Sequence, residues 1–338
     1  NTIVINAREE GVGGDSSPRK VIEEYLHSMA VSNYNPIANY LDGIGEWDGS
    51  DHVSSLFNRL PGVSDEMKAY LRIWLRSMVA HWLQMDTLHG NECVPVLIGE
   101  QGCGKSTFCN RLLPPELRSY FFDHISFSNR FDLEMALTHA LLVNIDEFNV
   151  MTPSQMAKLK QNLSKVKVNS RPIFGRTTED RPRYSSFIAT TNERHPLCDP
   201  TGSRRFLCIE IPSGEFIDNE SPIDYAQLYA QILHELSLLG TRYWFTRDEE
   251  NRIQELNSAF MKTDDIDMMI ASSFDLENSE SQGQWMSGNE VVNVLCRNYS
   301  QLKADSGLKL RLGKALRYLG CKAKHTKRGQ EYLLTTRK

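Results

Sequence analysis

The chain has 338 residues, 40% of them hydrophobic and 24% charged, with a formal net charge of −5. That composition excludes collagen-like and wholly disordered classes, and the length allows two or three domains around a sizeable core. The acidic average does not exclude nucleic acid, because charge is unevenly distributed along the chain.

Residues 1–19 carry Gly11, Gly13, Gly14 and a Ser-Ser-Pro stop, and read as a tail or linker. A short amphipathic helix is expected from Pro18 to Met29, and another segment from Pro36 to Leu41 before Asp42-Gly43. Residues 45–51 form a tight loop anchored by Trp47. After Ser64, Met67, Tyr70, Leu71, Trp74, Leu75, Met78, Val79, Trp82 and Leu83 recur as one apolar stripe, predicting a long helix. Its two tryptophans fall on the stripe, which assigns them to packing. Residues 20–90 are thus a helical lead-in to the segment that follows.

Residues 91–215 carry the chemistry. Val94, Val96, Leu97 and Ile98 read as a buried parallel strand that stops at Gly99. Gly99, Glu100, Gln101, Gly102, Cys103, Gly104, Lys105 and Ser106, followed by Thr107, satisfy G-x-x-x-x-G-K-[ST], the phosphate-binding loop. Glycines at 99, 102 and 104 permit dihedrals and close approaches that a side chain would block. Backbone N–H groups can then ring a triphosphate at the positive end of the helix that begins near Lys105. Lys105 is placed to neutralise the outer phosphates, and the Ser106 hydroxyl to ligate Mg²⁺. The expected ligands are therefore ATP and Mg²⁺.

Some forty residues on, an apolar strand, Leu141 to Ile145, ends in Asp146-Glu147, the Walker B pattern. Asp146 would hold the Mg²⁺ hydration shell and Glu147 would deprotonate the attacking water. A neighbouring strand of the same sheet would place the acids beside the loop. A third strand, Ser186 to Thr191, ends in Asn192, either a sensor of the terminal phosphate or a turn-forming residue. Arg204 and Arg205 lie on a glycine turn before a fourth strand, Phe206 to Ile211. They are either a solvated pair or a finger reaching a neighbouring subunit's nucleotide. Between Walker B and the Asn192 strand lies a basic insertion, Lys165 to Arg183, with six cations (Lys165, Lys167, Arg171, Arg176, Arg181, Arg183) against Glu179 and Asp180. It reads as a β-hairpin or extended loop that either grips phosphates in a channel or is a solvated surface loop.

Residues 216–263 return to helical patterning, with Tyr225, Leu228, Tyr229, Ile232, Leu233 and Leu236 on one face and a second helix from Arg247 to Met261. Residues 264–286 are acidic and Ser/Gln/Gly-rich and read as a linker. In residues 287–338, Ser287 and Glu290 form a capping box, and Leu308, Leu312, Ala315, Leu316 and Leu319 mark a second helix that Gly320 stops. Cys321 to His325 and Glu331 to Thr335 are two short strands around Lys327-Arg328. Helix, helix, hairpin is the winged-helix order. From Arg297 onward twelve Lys or Arg face only Asp305 and Glu331. An end so basic fits nucleic acid, with Lys324, Lys327 and Arg328 as candidate contacts, or else an acidic partner.

The cysteines (Cys93, Cys103, Cys109, Cys198, Cys208, Cys296, Cys321) are odd in number and lack a C-x-x-C pair, which fits reduced thiols in the cytoplasm. No apolar run reaches membrane-spanning length and no signal peptide opens the chain, so no membrane partner is expected. Asn1 in place of Met fits a piece of a longer protein.

The motifs resemble those of the virulence-associated protein E family, which is related to superfamily 3 helicases and to phage and plasmid primase-helicases. The resemblance rests on Asn35-Pro36 with Tyr40-Leu41 and Trp47-Asp48-Gly49; Gly99 to Thr107; Ile145-Asp146-Glu147; Arg171-Pro172 with Gly175-Arg176; Thr191-Asn192; and Asp199 with Thr201 to Phe206. It implies an α/β fold: an AAA+-like P-loop NTPase core with a parallel sheet, helical flanks and the winged-helix-like end. It also implies a homo-oligomeric ring, of hexamer type, with ATP between subunits. Lys105, Ser106, Asp146, Glu147, Asn192 and Arg204 or Arg205 take their family roles, and the basic insertion becomes a hairpin directed at DNA. Ile173 departs from an aromatic frequent in the family. No primase module is visible, so one is expected upstream or in trans. The expected function is an ATP-dependent, helicase-like replication motor of a mobile element. The rival expectations are an AAA+ switch without unwinding and a DNA-binding regulator with vestigial ATPase.

Overall fold

Helix starts in this chain are set by short polar caps. Asn35, Asp51 and Ser64 each accept a backbone N–H at the first turn of α3 (Pro36–Leu41), α4 (His52–Phe57) and α5 (Asp65–Trp82). The computed structural model describes all residues except 1, 15–16, 27, 29–33, 86–87, 172–176, 200–201, 263–264, 277–282, 300–301, 303, 327–328 and 338. It divides into two compact units, Asn1–Asn192 with Ile209–Thr246, and Glu193–Cys208 with Arg247–Lys338.

The first unit begins with α1 (Thr2–Glu9) and α2 (Arg19–Leu26), neither of which buries a residue. The expected N-terminal tail thus carries a helix. The α5 stripe is buried as predicted, with Trp74, Met78 and Val79 fully covered. The lead-in is tied to α9 (Tyr225–Ser237), the helix predicted from Tyr225, by one ionic cluster. Arg72 donates to Asp51 at 3.0 Å and to Glu235 at 2.5 Å, while Gln231 donates to Asp51 at 2.9 Å. Burial of Asp51 opposes its ionisation. The bonds from Gln231, the Ser54 N–H and Arg72 outweigh that and hold its carboxyl well below the usual carboxylate range.

The central sheet is built from β1 (Val94–Ile98), β2 (Phe121–Phe122), β3 (Leu142–Ile145), β6 (Ser186–Thr191) and β7 (Phe206–Glu210), in the order β2-β3-β6-β1-β7, and β7 contributes Ile209 and Glu210 to this unit. The β2–β3, β3–β6 and β1–β6 pairings are parallel. Helices α6 (Lys105–Arg111), α7 (Arg130–His139) and α8 (Pro153–Leu163) connect them. The strand carrying Asp146-Glu147 is not next to β1, because β6 lies between them. Strand order is set by how the crossovers wind, which spacing along the chain does not encode. The basic insertion forms an antiparallel hairpin, β4 (Lys167–Ser170) with β5 (Glu179–Pro182).

In the second unit, α10 (Arg247–Leu256) is joined to the segment 193–208. Asn257 donates to the carbonyls of Ser203 and Phe206, both at 2.7 Å. The described part of residues 264–286, a stretch expected as a linker, instead contributes to the C-terminal core. It forms α11 (Asp265–Ser273), β8 (Phe274–Asp275) and most of β9 (Gln284–Ser287). Ile266, Ile270 and Phe274 recur every fourth residue and are fully buried against α12 (Gly288–Asn298) and α13 (Ser306–Tyr318). Three apolar positions among acids and serines are too few for composition to reveal, yet at helical spacing they make a face. Both expected helices are present, each capped: Ser287 accepts the Glu290 N–H at 3.4 Å and Asp305 the Leu308 N–H at 2.6 Å. The hairpin β10 (Ala323–Thr326) and β11 (Gly329–Thr336) comes next, and β11 also pairs with β8 and β9. Phe274→Ala is expected to destabilise this unit by about 3–5 kcal/mol, read as a shifted denaturant midpoint, whereas a true linker would tolerate it.

Candidate active site

At the C-terminal ends of β1, β6 and β3 the chain makes three successive turns into one cleft. The first turn comes after β1. Gly99 N–H donates to Thr191 O at 3.2 Å, fixing the start of the loop to β6. Gly102 and Gly104 have φ of 85° and 93°, in the left-handed region that glycine alone enters without strain. A Cβ on Gly104 would also stand 2.4 Å from Asn219 Nδ2. Lys105 opens α6 and is buried. Its Nζ donates to Gly99 O at 2.8 Å, Glu100 O at 2.7 Å and Asn192 Oδ1 at 2.9 Å. Asn192, offered in sequence either as a sensor or as a turn former, therefore touches the loop lysine directly.

The turn after β3 brings both acids, and β6 fastens it. Thr190 Oγ1, on β6, donates to the Asp146 carboxylate. Glu147 has φ 50° and ψ 48°, an αL conformation rare outside glycine. Thr191 Oγ1 donates to Asn149 Oδ1 at 2.7 Å, tying the turn after Glu147 back to β6. Gln101, Gly102, Gly104, Lys105, Ser106, Thr107, Asp146, Glu147 and Asn192 all line this cleft, whose volume is about 450 Å³. Gly99, Glu100 and Cys103 shape the loop from behind: Glu100 Oε1 accepts from Ser213 Oγ at 2.6 Å and Cys103 O accepts the Ile217 N–H at 3.0 Å.

Sequence reasoning missed a strap over the loop. Asn219 Nδ2 donates to Gly104 O at 2.9 Å. Arg59 holds the strap through the carbonyls of Ser221 at 2.8 Å and Pro222 at 2.7 Å, and Arg111 bonds Ser221 O at 2.8 Å. Nothing in residues 213–222 marks this role, since backbone carbonyls are the acceptors. Thr190 and Thr191 were legible as polar residues in a buried strand, and that was the available signal.

Ser106 and Asp146 both line the cleft, and their oxygen donors suit a hard cation such as Mg²⁺, which takes one or two protein ligands alongside phosphates. Among the described residues no three His, Cys, Asp or Glu side chains cluster as an all-protein metal cage.

The remaining predicted residues are dispersed. Arg204 and Arg205 belong to the second unit, where Arg204 pairs with Glu250 at 3.1 Å. Neither is among the residues that line the cleft. In the hairpin, Lys165 donates to Asn162 Oδ1 at 2.9 Å and Lys167 stands 4.0 Å from Asp180. Arg171 is exposed. Arg181 is engaged by Ser170 Oγ at 2.6 Å and Glu134 at 3.4 Å. Arg183, counted in sequence with the basic surface, is fully buried and turned inward. Lys324 lies on β10 and pairs with Glu331 at 3.5 Å. Arg176, Lys327 and Arg328 lie outside the described residues. No helix among the described residues is long and apolar enough to cross a membrane, and all seven cysteines are free thiols.

Among solved structures, the chain is similar to the A-form apo structure of the NrS-1 C-terminal region (305–718), at 13% identity and TM-score 0.48, covering 87% of this chain and 78% of that one. A second apo structure of the same region gives 12% identity and TM-score 0.48 over 90% and 79% of the two chains. No curated protein matches the chain. The family model of the virulence-associated protein E-like domain matches residues 41–262, a span holding α4 and α5, the whole central sheet, the cleft and its strap. With the greater part of its length inside that match, the chain belongs to the virulence-associated protein E-like domain family.

Proposed function

We propose that the chain is a P-loop NTPase that hydrolyses ATP with Mg²⁺ and acts on DNA as a helicase-like replication motor of a mobile genetic element. The observation that carries the reading is the convergence of Lys105, Asp146, Glu147 and Asn192 on one cleft from three strand ends. The loop N–H groups and Lys105 bind the phosphates, and the charge they offer grows in value as negative charge develops on the γ-oxygens. Asn192, in contact with Lys105, orients the lysine and reads the terminal phosphate. Ser106 and Asp146 would hold Mg²⁺, which would supply charge neutralisation at the phosphates. Glu147 takes the proton from the attacking water at its carboxylate. Its αL backbone, which costs roughly 1–3 kcal/mol, supports the reading that this side chain is held where chemistry needs it.

The same proposal includes a homo-oligomeric ring of hexamer type, with Arg204 or Arg205 as a finger in trans, and a primase module upstream or in trans. The hairpin cations Lys165, Lys167 and Arg171, with Arg176, would contact DNA. The C-terminal helices and hairpin would act as a winged-helix-like DNA-binding domain in a cytoplasmic protein. A second reading, an AAA+ switch without unwinding, is favoured by the engagement of Lys167 and Arg181 with Asp180 and Glu134. A strand-displacement assay separates the two: ATP-driven unwinding supports the motor, and DNA-stimulated turnover without unwinding supports the switch.

Gly104→Ala tests the cleft itself. The forced left-handed φ and the clash with Asn219 are expected to weaken binding of a fluorescent ATP analogue by roughly tenfold or more. Unchanged affinity would place the nucleotide elsewhere.

A further inference from the structure

The C-terminal sheet has one face in the core and one open. On β9 and β11, Met286, Tyr332 and Leu334 are buried against the helices. Strand alternation turns Trp285, Glu331 and Leu333 to the other side. Trp285 lies opposite Leu333, Ser287 opposite Glu331, and Glu331 opposite Lys324 across the next pairing. Trp285 is 41% exposed, the one tryptophan among the exposed large hydrophobics of the described residues. Lys324 Nζ stands 4.1 Å from the indole centroid and 3.5 Å from Glu331 Oε2. Lys322, two residues before Lys324, shares its face by alternation.

Trp285 is not part of the buried cluster of this unit, and 41% of it is open to solvent. Its ring face carries negative quadrupole density, which the ammonium above it satisfies. A nucleobase can take the place of that ammonium on the ring, and the displaced lysine can then meet the phosphate that such a base brings. Stacking on an aromatic platform flanked by cations is how single strands are bound without sequence preference. The segment from Arg297 onward, with twelve basic residues against two acids, supplies the matching field.

We propose that this open face is a binding site for single-stranded DNA, in which Trp285 stacks a base and Lys324, with Lys322, holds the adjoining phosphate. The proposal rests on the reading of the chain as a DNA-acting ATPase, and adds a residue that motif reasoning did not single out. Glu331 keeps Lys324 over the ring in the protein alone, so binding exchanges that carboxylate for a phosphate.

The test is fluorescence anisotropy of the full chain with a labelled oligo(dT) of about twenty nucleotides and with an abasic oligomer of equal length, at several salt concentrations. Trp285→Ala and Trp285→Leu are each expected to weaken oligo(dT) binding at least about fivefold, with Trp285→Phe close to wild type. The leucine variant keeps the apolar bulk, so its loss reports stacking rather than packing. On the abasic oligomer the wild type and the leucine variant should bind alike. Lys324→Ala should lower the salt dependence by about one phosphate contact. The site is overturned if Trp285→Leu binds oligo(dT) within twofold of wild type, or loses the same factor on the abasic oligomer. Absence of any oligonucleotide binding by the wild type would instead overturn the DNA reading on which the site rests.

Discussion

Replacing Lys105 by alanine is expected to lower ATP turnover at least 100-fold, about 2.7 kcal/mol of transition-state stabilisation. The lysine is the one cation in the wall of the cleft among its described residues, and its ammonium is already aimed by three oxygen acceptors within 2.9 Å. Alanine removes the charge and frees Asn192 at once, so phosphate binding and phosphate sensing fail together. Loss should appear mainly in turnover, since charge on the γ-oxygens grows on the way to the transition state. Steady-state phosphate release, compared with binding of a non-hydrolysable analogue, checks both halves. Hydrolysis at the wild-type rate would remove Lys105, and the loop with it, from the chemistry.

The second large effect lies away from the cleft. Arg183→Met is expected to destabilise the protein by roughly 3 kcal/mol or more, read as a lower denaturant midpoint with both units present. Its guanidinium is fully buried and donates to five backbone carbonyls: Asn162 at 3.0 Å, Leu163 at 2.6 Å, Lys165 at 3.0 Å, Ser185 at 2.9 Å and Asn91 at 3.2 Å. Burial pushes the guanidinium down to about 10, against the opposing pull of the Glu92 carboxylate, and it remains a cation at neutral pH. The charge sits at the C-terminal end of α8, where the helix dipole is negative. Around it, the Asn91 N–H donates to His81 Nε2 at 2.7 Å, so His81 Nδ1 carries the proton that meets Arg183 O at 3.3 Å. One side chain thus joins the helix after Walker B, the base of the hairpin and the start of β6. If Arg183 gripped DNA, the methionine variant would be stable and would bind DNA weakly. The burial predicts the opposite order of effects.

The candidate site was more legible than the domains. The phosphate-loop pattern is local: Gly99 to Thr107 spell it in adjacent residues, and so does a strand that ends in Asp146-Glu147 for its own pattern. Asn192 was visible as a polar residue at a strand end, but its bond to Lys105 was not, because it depends on β6 lying between β1 and β3. The cations of the insertion were legible in number and only partly in place. Charge is read from sequence, whereas the inward turn of Arg183 depends on the carbonyls that surround it. Residues 264–286 were hidden for a related reason. Their acids and serines dominate the average, and the three apolar residues that matter become a face only once α11 winds. The strap at 217–221 left no mark in sequence at all, since it works through backbone carbonyls and one asparagine.

The most direct test is the initial rate of ATP hydrolysis by the full chain with Mg²⁺, with and without single-stranded DNA, beside Glu147→Gln. The wild type should hydrolyse ATP and turn over faster with DNA, and Glu147→Gln should bind the nucleotide with wild-type affinity but hydrolyse it at least about 100-fold more slowly. A wild-type rate no higher than that of Glu147→Gln, with or without DNA, would contradict the assignment of this cleft as an ATPase.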